Sequence, residues 1–169
     1  MSALINKVVL VTGGFDPIHE GHIEYFKEAK KLGDWLVVSI NSDRWLSRKK
    51  GNPFMSAQSR HAVISSLTMV DECWKISDSD DVDGTSCFAI AEALKKFPKA
   101  EIIFANGGDR GINDTPEAKF FKDDERVRFI NGVGGNNKLN SSSWLLDRWK
   151  FQTTNRDWGY WKVLDDRQT

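Results

Sequence analysis

The chain predicts an α/β fold: a Rossmann-like, doubly wound, five-stranded parallel sheet with helices on both faces. Two observations carry this. Short apolar runs such as Lys7–Thr12 (KVVLVT) and Trp35–Ile40 (WLVVSI) alternate with segments whose apolar residues recur at helical spacing. The runs themselves are nearly continuously apolar, as in strands covered on both faces. Crossovers between parallel strands are right-handed. Sheets of this kind bind ligands at the carboxyl ends of their strands, where the strand order reverses. Chemistry is therefore expected just after Thr12, Ile40 and Ala105.

Each element follows in order. The first strand, Lys7–Thr12, ends at Gly13-Gly14. Gly21–Leu32 is a helix with Ile23, Phe26, Ala29 and Leu32 inward, closed by Gly33 at its C-cap. Trp35–Ile40 is the second strand. Ser56–Leu67 repeats the helical spacing through Ala57, Val63, Ile64 and Leu67, and Glu72–Ile76 is the third strand. Thr85–Phe97 is a helix with Phe88, Ile90, Ala91 and Leu94 inward. Glu101–Ala105 and Arg126–Ile130 are the last strands. Ser141–Trp149 opens with serines and turns apolar at Trp144, Leu145 and Leu146, the layout of a capped helix. The expected division is a domain over residues 1–150 and an aromatic tail over 151–169, with polar Gln152–Arg156 as a linker.

Composition narrows the function. The 169 residues carry 24 Lys+Arg and 24 Asp+Glu, a net charge of zero, which argues against a nucleic-acid binder. Seven Trp and ten Phe exclude disorder for most of the chain. No apolar run approaches a membrane span, and Val8–Val11 is too short for a signal core, so a cytoplasmic protein is expected. Cys73 and Cys87 form no Cys-x-x-Cys pair and read as reduced thiols.

The segment Gly13-Gly14-Phe15-Asp16-Pro17-Ile18-His19-Glu20-Gly21-His22 joins the first strand to the first helix. Its glycines let backbone approach a ligand closely. A helix N-terminus offers N–H groups and a positive dipole end to phosphate. His19 and His22 are three apart and can point the same way, donating hydrogen bonds to a phosphate as its charge changes. The same pair could ligate zinc, but no further Cys or His stands nearby in the sequence. Arg44, Arg48, Lys49 and Lys50 supply countercharge or form an ordinary solvated surface. Ser141, Ser142 and Ser143 make an anion cradle or simply cap a helix, with Lys138 shortly before them. Asp16 is suited to fixing its own loop. Asp109, after Gly107-Gly108, could take a nucleotide hydroxyl or a metal carried by a triphosphate, or serve an ordinary turn.

These motifs resemble the cytidylyltransferase-like nucleotidyltransferases, which include glycerol-3-phosphate cytidylyltransferase and the heptose-phosphate adenylyltransferases. The resemblance spans about residues 5–150 and rests on the G-x-F-D-x-x-H-x-G-H pattern at residues 13–22. Further matches are Asn41-Ser42-Asp43, a lysine loop at Lys49-Lys50-Gly51, Arg60, Gly107-Gly108-Asp109 and the serine run. It implies transfer of a nucleotidyl group from a nucleoside triphosphate, CTP first and ATP as the alternative, to a small phosphorylated acceptor. Catalytic roles fall to His19, His22, Lys49 and Lys50. Nucleotide contacts fall to Gly13, Gly14, Phe15, Asp16, Gly21, Arg60, Gly108, Asp109, Lys138, Ser141, Ser142 and Ser143, and acceptor contacts to Asp43 and Lys49. Mg²⁺ is expected with the triphosphate, whose charge needs neutralising. No resident metal, nucleic acid or membrane partner is expected, and a homodimer is.

The chain also departs from the family pattern. Gly14 stands where Thr or Cys is usual, and Asn136 where the family's final motif has arginine. Thr68 replaces an arginine of the glycerol-3-phosphate enzymes, and acidic Asp78–Asp83 replaces their Trp and Lys pair. Carboxylates accept hydrogen bonds from sugar hydroxyls, which leans the acceptor toward a phosphorylated sugar or polyol. Asn155–Leu164 (NRDWGYWKVL) resembles the opening of the cupin domains of mannose-6-phosphate isomerase/guanylyltransferase proteins, and reads as a relic of, or cut from, a fused sugar-phosphate enzyme. The reading from another class is a non-catalytic nucleotide sensor or assembly subunit.

Overall fold

The computed structural model describes residues 4–80, 86–107, 115–135 and 141–154. In chain order the elements are β1 (Lys7–Gly13), α1 (Glu20–Lys30), β2 (Trp35–Ile40), α2 (Asp43–Lys50), α3 (Ala57–Ser65) and β3 (Glu72–Lys75). There follow α4 (Cys87–Lys96), β4 (Glu101–Gly107), α5 (Pro116–Phe120), β5 (Val127–Val133) and α6 (Ser142–Thr154). The five strands form one parallel sheet in the order β3-β2-β1-β4-β5. The order reverses between β1 and β4, so the predicted doubly wound fold is the one observed, with its switch point at the carboxyl end of β1.

Strand alternation sorts the core into two layers. Val9, Val11, Leu36, Val38, Ile40, Ile103 and Ala105 face Phe26 and Ala29 of α1 and Ile64 of α3. Val8, Leu10, Val37, Ile102 and Phe104 face Ala89, Ile90 and Ala93 of α4, with Phe121 beside them. Helix starts are set by short polar side chains: Ser42, Ser56 and Thr115 accept the N–H groups of Trp45, Ser59 and Ala118.

The structure corrects several expectations. Helix α4 buries Ala89, Ile90 and Ala93, while Phe88 is exposed. On α3, Ile64 is buried and Val63 is exposed. Helix α1 ends at a Lys31 C-cap in ordinary right-handed backbone, so Gly33 does not cap it. A Cβ on Gly33 would lie 2.9 Å from the Lys7 carbonyl oxygen, and that close approach to β1 is what requires glycine. Helix α6 continues to Thr154, past the predicted boundary at residue 150 and into the predicted linker. Cys73 and Cys87 are free, and burial pushes the Cys73 thiol up to about 11. The acidic stretch at 81–85 and the cupin-like stretch at 155–164 lie outside the described residues.

Candidate active site

The loop leaving β1 is shaped by its own side chains. Phe15 sits at φ 48, in the left-handed region that non-glycine residues seldom occupy. This folds its ring back into the core, edge-on to Phe26 at 5.0 Å and to His22 at 5.2 Å between centroids. A Cβ on Gly13 would lie 2.8 Å from Phe15 Cζ, and one on Gly14 would lie 2.8 Å from Leu46 Cδ2. The space both glycines leave is therefore filled by the protein's own side chains, which is a packing reason for glycine at each position. Asp16 is buried, and its two carboxylate oxygens each accept a backbone N–H at 2.7 Å, from Phe54 and Met55. It fixes the loop, as its sequence context predicts, and touches the connection between α2 and α3.

The histidines build the start of α1. His19 is the N-cap residue, and its Nδ1 accepts the Gly21 N–H at 3.1 Å. His22 Nδ1 accepts the His19 N–H at 3.3 Å. The rings stack with centroids 3.8 Å apart. A ring nitrogen that accepts from an N–H carries no hydrogen, so each neutral imidazole holds its proton on Nε2. The Gly21 N–H is thus taken by the cap, and the two Nε2–H groups add side-chain donors to this turn. Burial first, then neighbouring His19 and Lys50, push the His22 imidazole from 6.5 down to about 3, against a smaller pull from Glu20. At neutral pH His22 is a hydrogen-bond donor without charge.

The basic cluster lies on a helix, where the sequence predicts a loop. Lys49 and Lys50 end α2, and Gly51 caps it at φ 92. Lys50 Nζ donates to the Asp16 carbonyl oxygen at 3.1 Å, so its ammonium lies against the glycine loop and beside His22. Lys49 turns elsewhere, with Nζ 4.4 Å from the Trp45 ring centroid.

Arg60 departs from its expected role. Arg60 has no exposed surface. Its guanidinium donates to the carbonyl oxygens of Gly14 (2.8 Å), Asn41 (2.9 Å) and Met55 (3.1 Å) and to Asp43 Oδ1 (2.7 Å). Asp43 Oδ2 accepts the Ala57 N–H at 3.0 Å. Arg60 is therefore a buried brace rather than a phosphate ligand. Both Asp43 oxygens take part in that brace, while the Asp43 side chain stays 42% exposed.

The serine row begins α6. Ser141 Oγ accepts the Trp144 N–H, and Ser142 Oγ donates to the Pro17 carbonyl oxygen at 3.0 Å. Ser143 is exposed on the same turn. The final helix is thus tied directly to the histidine-bearing loop. Gly108, Asp109 and Lys138 lie outside the described residues.

A set of polar residues missed in the sequence lies on the α4 face of the same edge. Thr12 Oγ1 and Ser86 Oγ are 2.7 Å apart, and Ser86 N–H donates to buried Glu117 at 2.7 Å. Ser39 is the register partner of Thr12. Asn106 Nδ2 donates to Asn131 Oδ1 at 3.0 Å, next to a bulge where Gly107 pairs with Val133. The only signal was a polar residue near the end of each of these apolar runs.

Among the described residues no three His, Cys, Asp or Glu side chains converge to hold a metal ion. No helix among them is long and apolar enough to cross a membrane.

The cytidylyltransferase-like family profile matches residues 10–84, which contain the glycine loop, both histidines, Lys50 and Arg60. The lipopolysaccharide core biosynthesis protein of Thermoplasma volcanium GSS1 is 30% identical, with a TM-score of 0.55 over 75% of this chain and 95% of that one. The chain belongs to the cytidylyltransferase-like family. Curated relatives extend the comparison. Bifunctional protein HldE of Pasteurella multocida (strain Pm70) is 35% identical over 147 residues, 83% of this chain and 29% of that protein. HldE of Pseudomonas fluorescens (strain Pf0-1) is 37% identical over 118 residues, 69% of this chain and 23% of that protein. The chain thus spans less than a third of the length of these curated relatives. A Vibrio parahaemolyticus structure provisionally designated a nicotinate-nucleotide adenylyltransferase shares the fold, with a TM-score of 0.60 at 13% identity.

Proposed function

We propose that this cytidylyltransferase-like chain transfers a nucleoside monophosphate from CTP or ATP to a phosphorylated sugar or polyol. An acceptor phosphate oxygen attacks the α-phosphorus, the bond to the β-phosphate oxygen breaks, and pyrophosphate leaves. The observation that carries the reading is the stacked His19/His22 pair, pinned through Nδ1 and lying beside Lys50. Two fixed Nε2–H donors need no reorganisation as charge builds on the phosphorus oxygens, which is how a preorganised site lowers a barrier. Lys50 supplies the positive charge that a neutral His22 does not. Positioning does the rest, as in other phosphoryl transfers.

Mg²⁺ enters as part of the triphosphate substrate and neutralises its charge. Lys49, Ser141, Ser143, Gly108, Asp109 and Lys138 keep the phosphate and nucleotide roles that the family resemblance gives them. The acceptor class rests on the acidic stretch in the sequence and on the likeness to a lipopolysaccharide core biosynthesis protein, since that core is built of sugars. A nucleoside triphosphate substrate places the reaction in the cytoplasm. A homodimer belongs to the same proposal: Trp144 and Trp149 stand 55% and 53% exposed on α6 and give a second copy an apolar surface. Sedimentation of the purified chain reads that state directly.

The test of activity is pyrophosphate release with each of four nucleoside triphosphates against a panel of sugar and polyol phosphates. Turnover with one pair, lowered about 10²–10³-fold in His22→Ala, is the expected result. Tight nucleotide binding with no pyrophosphate from any pair would make the chain a sensor.

A further inference from the structure

Helix α6 carries the serine row, yet core burial does not hold it in place. Among the described residues, neither apolar layer of the core contains a residue of α6. A helix without a buried stripe depends on individual contacts for its position. Two such contacts lie on the face that carries Ser142 and Trp149. These residues stand seven positions apart, about two turns or about 10 Å along the axis. At the near end the Ser142 hydroxyl donates to the Pro17 carbonyl oxygen at 3.0 Å. At the far end the Trp149 ring meets the Phe54 ring edge-on, with centroids 6.2 Å apart and planes at 74°. Leu145 and Leu146, between them, are half-buried.

Phe54 is itself anchored. Its N–H donates to Asp16 Oδ2 at 2.7 Å, on the residue just before Pro17. It lies three residues past Gly51, which caps the lysine-bearing end of α2. The ring pair therefore ties the helix that begins with serines to the segment that follows Lys49 and Lys50. Both rings are more than half exposed. Rings so exposed add little to the core. What they contribute is the contact itself, in the edge-to-face geometry that aromatic pairs prefer.

We infer that Phe54 and Trp149 are a latch that sets the separation of the serine row from the lysine end of α2, and thereby the affinity for the triphosphate. Both are positioning residues. The serines and lysines are two groups of donors that the nucleotidyl-transfer reading assigns to the polyphosphate, and the inference rests on that reading. With the latch closed, the two groups stand at one separation before the ligand arrives, and little freedom is lost on binding. With either ring removed, α6 pivots on Ser142 and the ligand must order it. Affinity falls by the worth of one aromatic pair, about three- to tenfold. Turnover from the bound state is unchanged, because the ligand restores the arrangement.

The experiment makes Phe54→Ala, Trp149→Ala, the double variant and Trp149→Phe in the full chain. Each is titrated by equilibrium dialysis with Mg²⁺-CTP and with Mg²⁺-ATP, then assayed for pyrophosphate release with the best acceptor of the panel. The expected result is a nucleotide Kd raised about three- to tenfold in each Ala variant and no further in the double variant. Trp149→Phe keeps an aromatic edge and should return to within twofold of wild type, with kcat within twofold throughout. At exposed positions the melting midpoint should stay within about 2 °C. A merely structural role would lower the midpoint and kcat together, which overturns the latch. An unchanged Kd in either Ala variant, or effects that multiply in the double variant, also overturns it. Sedimentation is run beside the titrations because Trp149 belongs to the surface assigned to a second copy. A loss of affinity confined to Trp149→Ala and accompanied by a change of mass overturns the latch in favour of that contact. The expected Kd pattern without pyrophosphate from any acceptor supports the latch and overturns the activity. No binding of either nucleotide by the wild type overturns both.

Discussion

Arg60 and Gly14, 46 positions apart in sequence, are joined by a 2.8 Å hydrogen bond from Nη1 to the carbonyl oxygen. The same buried guanidinium holds the ends of β2 and of the α2–α3 connection through Asn41 and Met55. Arg60 thereby fixes where the histidine loop stands relative to the lysine-bearing helix. Three carbonyls and a carboxylate demand a forked donor, which Lys cannot supply. Arg60→Met is expected to lose about 3–5 kcal/mol of stability, and Arg60→Lys to recover less than half of it. Urea melts of the three proteins check this; a Lys variant as stable as wild type would refute the brace.

The His22 ring makes stability depend on pH in a definite direction. Its folded value, about 3, lies below the unfolded 6.5, so between those limits the unfolded chain binds more protons. The contribution is fully present above 6.5 and is lost as pH falls toward 3, with a slope approaching ~1.4 kcal/mol per pH unit. Denaturant midpoints measured from pH 7 to pH 4 should fall accordingly, and the slope should flatten in His22→Asn. An NMR titration showing the His22 ring charging near 6.5 would contradict its burial.

His19 has two tasks that substitutions can separate. As N-cap it accepts the Gly21 N–H, and through Nε2 it is assigned to phosphate. Asn is a strong N-cap residue without an imidazole. His19→Ala is expected to lose about 1 kcal/mol of stability, and His19→Asn much less. Both should lose about 10²–10³-fold in turnover. Thermal melts beside pyrophosphate release separate the two effects, and near-normal turnover in the Asn variant would remove the chemical role.

Gly33 offers a test of packing away from the site. Its missing Cβ would meet the Lys7 carbonyl oxygen at 2.9 Å and Val9 Cγ2 at 2.9 Å. A backbone oxygen in a central strand cannot retreat, so Gly33→Ala is expected to cost about 1–3 kcal/mol. Calorimetric melting checks it; an unchanged midpoint would mean the turn before β2 is softer than its packing implies.

The fold was readable because burial on both faces writes itself into strands as unbroken apolar runs, as in Val8–Val11 and Leu36–Val38. Helix α2 was not, since DRWLSRKK buries only Leu46 and depends on the Ser42 cap. The histidine pair was readable from its place after the first strand. The uses of Gly13 and Gly14 were not, because the Phe15 ring and Leu46 that occupy their space are placed by backbone geometry and by a different helix. Arg60 was noticed as a cation, but a charge in sequence points to the surface. Its burial depends on acceptors at positions 14, 41, 43 and 55 that only the folded chain assembles.

Phe54 and Met55 enter the Asp16 clasp through their main-chain N–H groups alone. Any residue with a backbone N–H can fill that part, so the clasp constrains the side chains at these two positions far less than it constrains Asp16, and Phe54 is left to meet Trp149 edge-on. The connection between α2 and α3 can therefore be recut over evolutionary time, or by directed evolution, without loosening the Asp16 clasp on the loop that leads to the histidines.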